Sequence, residues 1–104
     1  MKSILSTIIV LFTSLTVLAQ DKHLFQKEEF IQNGDTLPIR IMYPKDFNPD
    51  KKYPLVLFLH GRGESGSDNE SQLIHGASLF INNREQFPAI VVFPQCSKDS
   101  YWAN

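Results

Sequence analysis

One cysteine in 104 residues, Cys96, leaves no internal disulfide and no multi-cysteine metal site to build. Charge of one sign is also lacking. Ten Lys and Arg stand against eleven Asp and Glu, for a net charge of -1. There is no basic excess to attract nucleic acid and no charge block to make a solvated tail. No segment repeats and none is of low complexity. At this length the chain is one domain at most.

What is present begins with an apolar run. Lys2 precedes residues 4–18, which are interrupted only by Ser and Thr and lead into Val17-Leu18-Ala19-Gln20. A short positive region, a hydrophobic stretch and a small residue at its end make a secretory signal, cleaved after Ala19. The alternative is an uncleaved anchor, but the run is shorter than the ~20 residues that a bilayer crossing takes. No cysteine follows it, which argues against a lipoprotein. The expectation is a leader over residues 1–19 and a mature part over residues 20–104. That part is secreted or periplasmic and free of the membrane after cleavage.

Residues 24–31 mix Phe25, Phe30 and Ile31 with Gln26, Lys27, Glu28 and Glu29 in an imperfect alternation, and Asn33-Gly34-Asp35 follows as a turn signal. Leu37, Ile39, Ile41 and Tyr43 then alternate with Pro38, Arg40 and Met42, the period-2 pattern of a half-buried strand. The two segments predict an antiparallel hairpin, with Pro38 placing the second strand at an edge or at its own start. Residues 44–54 read as a polar connector.

Leu55, Val56, Leu57, Phe58 and Leu59 form an unbroken apolar run, and Ala89, Ile90, Val91, Val92 and Phe93 form another. Each predicts a strand buried on both faces. The segment between them has room for one crossover, so the two strands are expected to run parallel. Within that crossover Asp68 or Asn69 is placed to cap a short helix containing Leu73 and Ile74, Gly76 to end it, and residues 78–82 to form a second helical piece.

The first run stops at His60-Gly61-Arg62-Gly63, where two glycines allow a sharp turn and close approach by another group. Loops beyond the carboxyl ends of buried strands are where open α/β sheets bind ligands. The stretch Leu-Phe-Leu-His-Gly-Arg-Gly-Glu resembles the N-terminal third of secreted bacterial α/β-hydrolases. So do Gly66-Ser67-Asp68-Asn69-Glu70-Ser71-Gln72-Leu73, His75-Gly76-Ala77, Phe87-Pro88-Ala89-Ile90-Val91-Val92 and Phe93-Pro94-Gln95-Cys96 ahead of Trp102. The pattern is similar to the esterase-like, prolyl-oligopeptidase-related branch described as predicted peptidases, phospholipases/carboxylesterases or polyhydroxybutyrate depolymerase-like esterases. It runs from about Pro38 to Trp102.

The resemblance implies the N-terminal part of an α/β-hydrolase fold, a hairpin leading into the parallel strands of a mostly parallel, doubly wound sheet. It also implies a serine hydrolase acting on ester or peptide bonds of a small or polymeric substrate, with no cofactor. By position, the backbone N–H of Arg62 is implied as an oxyanion donor. His60, Gly61, Gly63, Glu64 and Asn69 are implied to shape the loop, and His60 is not the catalytic base.

The departure from that pattern lies in the nucleophile. No Gly-x-Ser-x-Gly pentapeptide occurs. Gly63-Glu64-Ser65-Gly66-Ser67 lacks the final glycine, and Ser65 sits in a polar loop instead of at a strand's end. The serine, acid and histidine of a triad are expected beyond Asn104, and the covering layers with them, as the missing C-terminal portion of the same domain. The chain alone is then expected to be inactive.

Cys96 paired with His60 or His75 reads better as a small buried residue than as a nucleophile. His75, Asp68 and Glu64 lack metal-ligand spacing and read as solvated loop residues. Tyr101 and Trp102 could line a sugar or polyester subsite or pack on the core. The competing function class is a non-catalytic secreted binding module, which an antiparallel sandwich would favour.

Overall fold

The computed structural model describes residues 21–103; the leader expected over residues 1–19 lies outside them. Asn33 and Gly34 both take positive φ, 54° and 83°, the backbone that a two-residue hairpin turn requires. β1 (Gln26–Gln32) therefore folds directly back into β2 (Asp35–Met42), paired from Gln32↔Asp35 to Gln26↔Ile41. β3 (Leu55–Leu57) and β4 (Ile90–Pro94) pair in parallel, and β4 also pairs antiparallel with β2. The sheet order is β1-β2-β4-β3. The crossover from β3 to β4 holds two 3-10 turns, Arg62–Glu64 and Ser71–Leu73, and one short helix, α1 (Ala77–Asn82).

Gly76 sets the join between the second 3-10 turn and α1. Its φ is +116°, and a Cβ there would stand 2.7 Å from the Phe58 ring. Only glycine provides both that backbone conformation and that clearance. The crossover is thereby pressed onto the sheet, and its Leu73 and Ala77 are buried at 1% and 2% exposure.

Register decides which side chains share a face, because residues directly opposite point the same way. Met42 pairs with Val91, Arg40 with Phe93, and Val56 with Val91. This face packs under the crossover. Phe93 stacks on Phe58 at 4.5 Å between ring centroids and meets Phe25 and Phe80 edge-on at 5.0 and 5.8 Å. The opposite face carries Ile39, Ile41, Ile90, Val92, Leu55 and Leu57. Leu55 and Leu57 are 70% and 61% exposed.

Among the described residues one face of the apolar run at 55–59 is covered, through Val56 and Phe58. Two expectations about β2 are corrected. In β2 the buried positions are Arg40 and Met42, while Leu37, Ile39 and Ile41 stay half-buried. The crossover covers the first of those sets, and hydrophobicity alone pointed to the second. β2 is also an interior strand with Pro38 inside it. Pro38 is tolerated because its carbonyl accepts from the Gln95 N–H at 2.9 Å, just past the end of the β2–β4 ladder. Its missing donor faces the same side, so the reciprocal bond to Gln95 is absent and the ladder ends at Ile39↔Pro94.

The connector at 44–54 also has more structure than its polar composition suggests. Tyr43, Phe47 and Tyr53 stack in series with centroids 4.8 and 5.3 Å apart, and the Asn48 N–H donates to Tyr53 Oη at 3.0 Å.

Candidate functional site

The loops leaving the carboxyl ends of β3 and β4 are locked together by His60. Its side chain is buried, at 5% exposure. Nδ1 lies against the Gly61 carbonyl, and Nε2 accepts the Cys96 N–H at 2.9 Å. Those partners assign the ring proton to Nδ1. The His60 carbonyl accepts from Trp102 Nε1 at 3.0 Å, and the Trp102 ring meets the imidazole edge-on at 4.9 Å. A second tie runs from the Gly66 N–H to the Cys96 carbonyl at 2.9 Å. With both nitrogens committed, His60 braces two loops and is not paired with Ser65.

Within the loop, the Glu64 and Ser65 N–H groups turn inward to the Gly61 and Arg62 carbonyls at 3.3 and 3.2 Å. Arg62 begins this 3-10 turn directly after Gly61, whose backbone is extended. The first N–H groups of a helical turn have no partner within it. Those of Arg62 and Gly63 donate to no backbone acceptor among the described residues outside the regular elements. Arg62's guanidinium lies 4.4 Å over the Tyr101 ring. Gly61, Arg62, Ser65, Cys96, Tyr101 and Trp102 surround a small open cleft of about 100 Å³.

Glu64 and Asn69 hold the loop from behind. The Glu64 side chain is 14% exposed, with its carboxylate oxygens against Gly61 and Oε1 3.9 Å from His75 Nε2. Asn69, at φ 51°, is a junction. Its N–H donates to Gln95 Oε1 at 2.7 Å, its amide to the Ile39 carbonyl at 3.0 Å, and its Oδ1 accepts from Gln72 Nε2 at 2.6 Å. Its carbonyl accepts from Arg40 at 3.1 Å.

Sequence patterning gave no role to Gln95 or Arg40. Gln95 is 1% exposed and donates from Nε2 to the Glu64 carbonyl at 3.0 Å and to Asp68 Oδ1 at 2.8 Å. A glutamine directly after a buried strand, between Pro94 and Cys96, was the one available signal. Arg40 is 5% exposed and also donates to the Phe25 and Lys22 carbonyls, at 2.8 and 3.3 Å. Burial lowers its pKa from the ordinary value, and the charge of Glu70 opposes that shift.

Asp68, not Asn69, accepts the leading N–H groups of the 3-10 turn Ser71–Leu73, whose N-cap position is Glu70. It accepts the Ser71 hydroxyl at 2.6 Å and the Ser71 and Glu70 N–H groups at 3.0 Å each. The Ser71 hydroxyl and N–H, then Gln95 and the Glu70 N–H, hold its carboxyl far below the usual carboxylate range. Among the described residues no group of three His, Cys, Asp or Glu is placed to hold a metal ion, and no helix is long and apolar enough to cross a membrane.

No family model matches the sequence, and neither does any curated protein. Among solved structures, the chain is similar to a thermostable esterase, with 42% sequence identity and a TM-score of 0.71. The match covers 80% of this chain and 24% of the esterase, so the chain spans about a quarter of that protein's length.

Proposed function

We propose, from a sheet that is the N-terminal part of an α/β-hydrolase fold similar to that of an esterase, that the loop after β3 binds the oxyanion of a carboxylic ester hydrolase. Attack on an ester carbonyl moves negative charge onto its oxygen. N–H donors already fixed in place stabilise that charge without reorganising. The observation that carries the reading is the loop's internal bonding. Glu64 and Ser65 spend their N–H groups inside the turn, while that of Arg62 is left free of the loop's own carbonyls beside the cleft. The His60 bridge to Cys96 gives the loop its rigidity. The nucleophile belongs to a Gly-x-Ser-x-Gly elbow that this sequence does not contain. The 104 residues alone therefore do not turn over ester, and Ser65 is not the attacking group. Residues 1–19 act as the secretory leader, so the mature protein begins at Gln20.

Arg62→Pro tests the donor directly. It deletes one N–H at the first position of a helical turn, where proline is tolerated, after a residue whose extended backbone suits it. In the full-length enzyme, turnover of p-nitrophenyl butyrate is expected to fall about 100- to 1000-fold with the melting temperature retained. Arg62→Ala keeps the N–H and loses far less. Equal losses in the two variants would remove the backbone donor from the mechanism. An intact reading frame of ordinary length without a serine elbow would remove the hydrolase reading altogether.

A further inference from the structure

The loop that carries the Arg62 N–H is fixed to the end of β4 through two successive residues. The Cys96 N–H donates to His60 Nε2 at 2.9 Å where the loop begins, and the Cys96 carbonyl accepts the Gly66 N–H at 2.9 Å where the turn is left behind. Between those two ties a side chain, that of Gln95, reaches the turn itself.

We infer that Gln95 is a positioning residue for the ester reaction, holding the turn so that the Arg62 N–H faces the carbonyl oxygen; this rests on the oxyanion reading above. The amide is 1% exposed, and its partners fix its orientation. Nε2 donates to the Glu64 carbonyl at 3.0 Å and to Asp68 Oδ1 at 2.8 Å, while Oε1 accepts the Asn69 N–H at 2.7 Å. Two acceptors on one side and a donor on the other suit an amide, whereas a carboxylate would meet both acceptors with an acceptor. The backbone of Gln95 is held too, by its N–H to the Pro38 carbonyl at 2.9 Å. Gly66 leaves room for the amide, since a Cβ there would stand 3.4 Å from Nε2.

Glu64 closes the three-residue turn that Arg62 opens. The Glu64 and Ser65 N–H groups bond back to the Gly61 and Arg62 carbonyls, so the turn moves as one piece. Tilting its Glu64 end swings the Arg62 N–H away from the oxyanion, and a misplacement of about 1 Å can cost about 100-fold in rate. A role in the fold alone fits less well. Asn69 keeps Ile39, Gln72 and Arg40 as partners without Gln95. The Glu64 carbonyl takes its side-chain hydrogen bond from Gln95 alone among the described residues. Losing the amide therefore frees the turn before it frees the fold.

Gln95→Met keeps the length of the side chain and removes both ends of the amide. In the full-length enzyme it is expected to lower kcat for p-nitrophenyl butyrate about 10- to 100-fold with KM within about two-fold, because the donor acts on the transition state and not on the bound ester. Added to Arg62→Pro, it should cost at most about two-fold more, since the donor it positions is already gone. Gln95→Glu keeps Oε1 toward the Asn69 N–H and carries the same two measurements if Gln95→Met does not fold. Unchanged kcat in a folded variant overturns the inference, even with a lowered melting temperature. So does a loss that multiplies in full with that of Arg62→Pro. An Arg62→Pro enzyme as active as wild type would instead sink the oxyanion reading itself.

Discussion

The two faces of the sheet are built from the same three strands and are comparably apolar, yet they differ in almost everything else. One face holds Met42, Val91, Phe93, Val56 and Phe58 under the crossover, and its edge is tied down by Arg40, Gln72, Asn69 and Gln95. The other holds Ile39, Ile41, Ile90, Val92, Leu55 and Leu57, all aliphatic, with no described segment packed over Leu55 or Leu57. The covered face is rich in aromatic rings and buried hydrogen bonds because loops must be oriented there. Among the described residues the other face offers only hydrophobicity. Position relative to one crossover, and not apolar content, separates them.

The largest expected effect follows from that contrast. Phe93→Ala removes a ring with 0% exposure that contacts three other aromatics. It should cost about 3–5 kcal/mol in urea unfolding, whereas Leu57→Ala should stay within about 0.5 kcal/mol. A Leu57→Ala cost approaching that of Phe93→Ala would break the comparison, because it would mean that the second face is covered in solution.

Arg40→Met comes next. The guanidinium serves three backbone carbonyls, from Lys22, Phe25 and Asn69. Its loss leaves those acceptors short while relieving the cost of burying a charge, for a net destabilisation of about 2–3 kcal/mol. Gly76→Ala should follow at about 1–3 kcal/mol, from a strained positive φ and a Cβ driven into Phe58. Both act on the covered side. Equivalent changes at Ile90 or Leu55 should shift the urea midpoint much less.

This asymmetry also explains what could be read from the sequence. The Asn33-Gly34 turn, the parallel pair of apolar strands, α1 and Gly76 each follow from local chemistry or from a run of like residues. Which face was covered did not, since a run such as 55–59 is apolar in both phases. Alternation puts Arg40 on the face opposite Ile39 and Ile41, yet its partners are carbonyls 15 and 29 positions away. No periodicity carries that information. The site divides in the same way. His60, Gly61 and Arg62 stand together in one motif, whereas the contacts that brace them come from Cys96 and Trp102 after β4, 36 and 42 positions on.

The smallest effect belongs to Asp68, at the exposed rim of the covered side. Its carboxyl is held far below the usual range by Ser71, Gln95 and Glu70. A group whose folded pKa is depressed binds its proton more readily in the unfolded chain. Its contribution is therefore complete above the unfolded value, about 3.9. It is lost as the pH falls below that value toward the folded one. Solvent exposure keeps the amount modest. Asp68→Asn should lower stability slightly at neutral pH and flatten the acid limb of a stability–pH profile below about pH 4, where wild type and variant converge. Parallel profiles down to pH 2 would show that the carboxylate contributes nothing to the brace. The turn Ser71–Leu73 would then be held by the burial of Leu73 and by the Gln72 bonds to Asn69 and the Phe93 carbonyl.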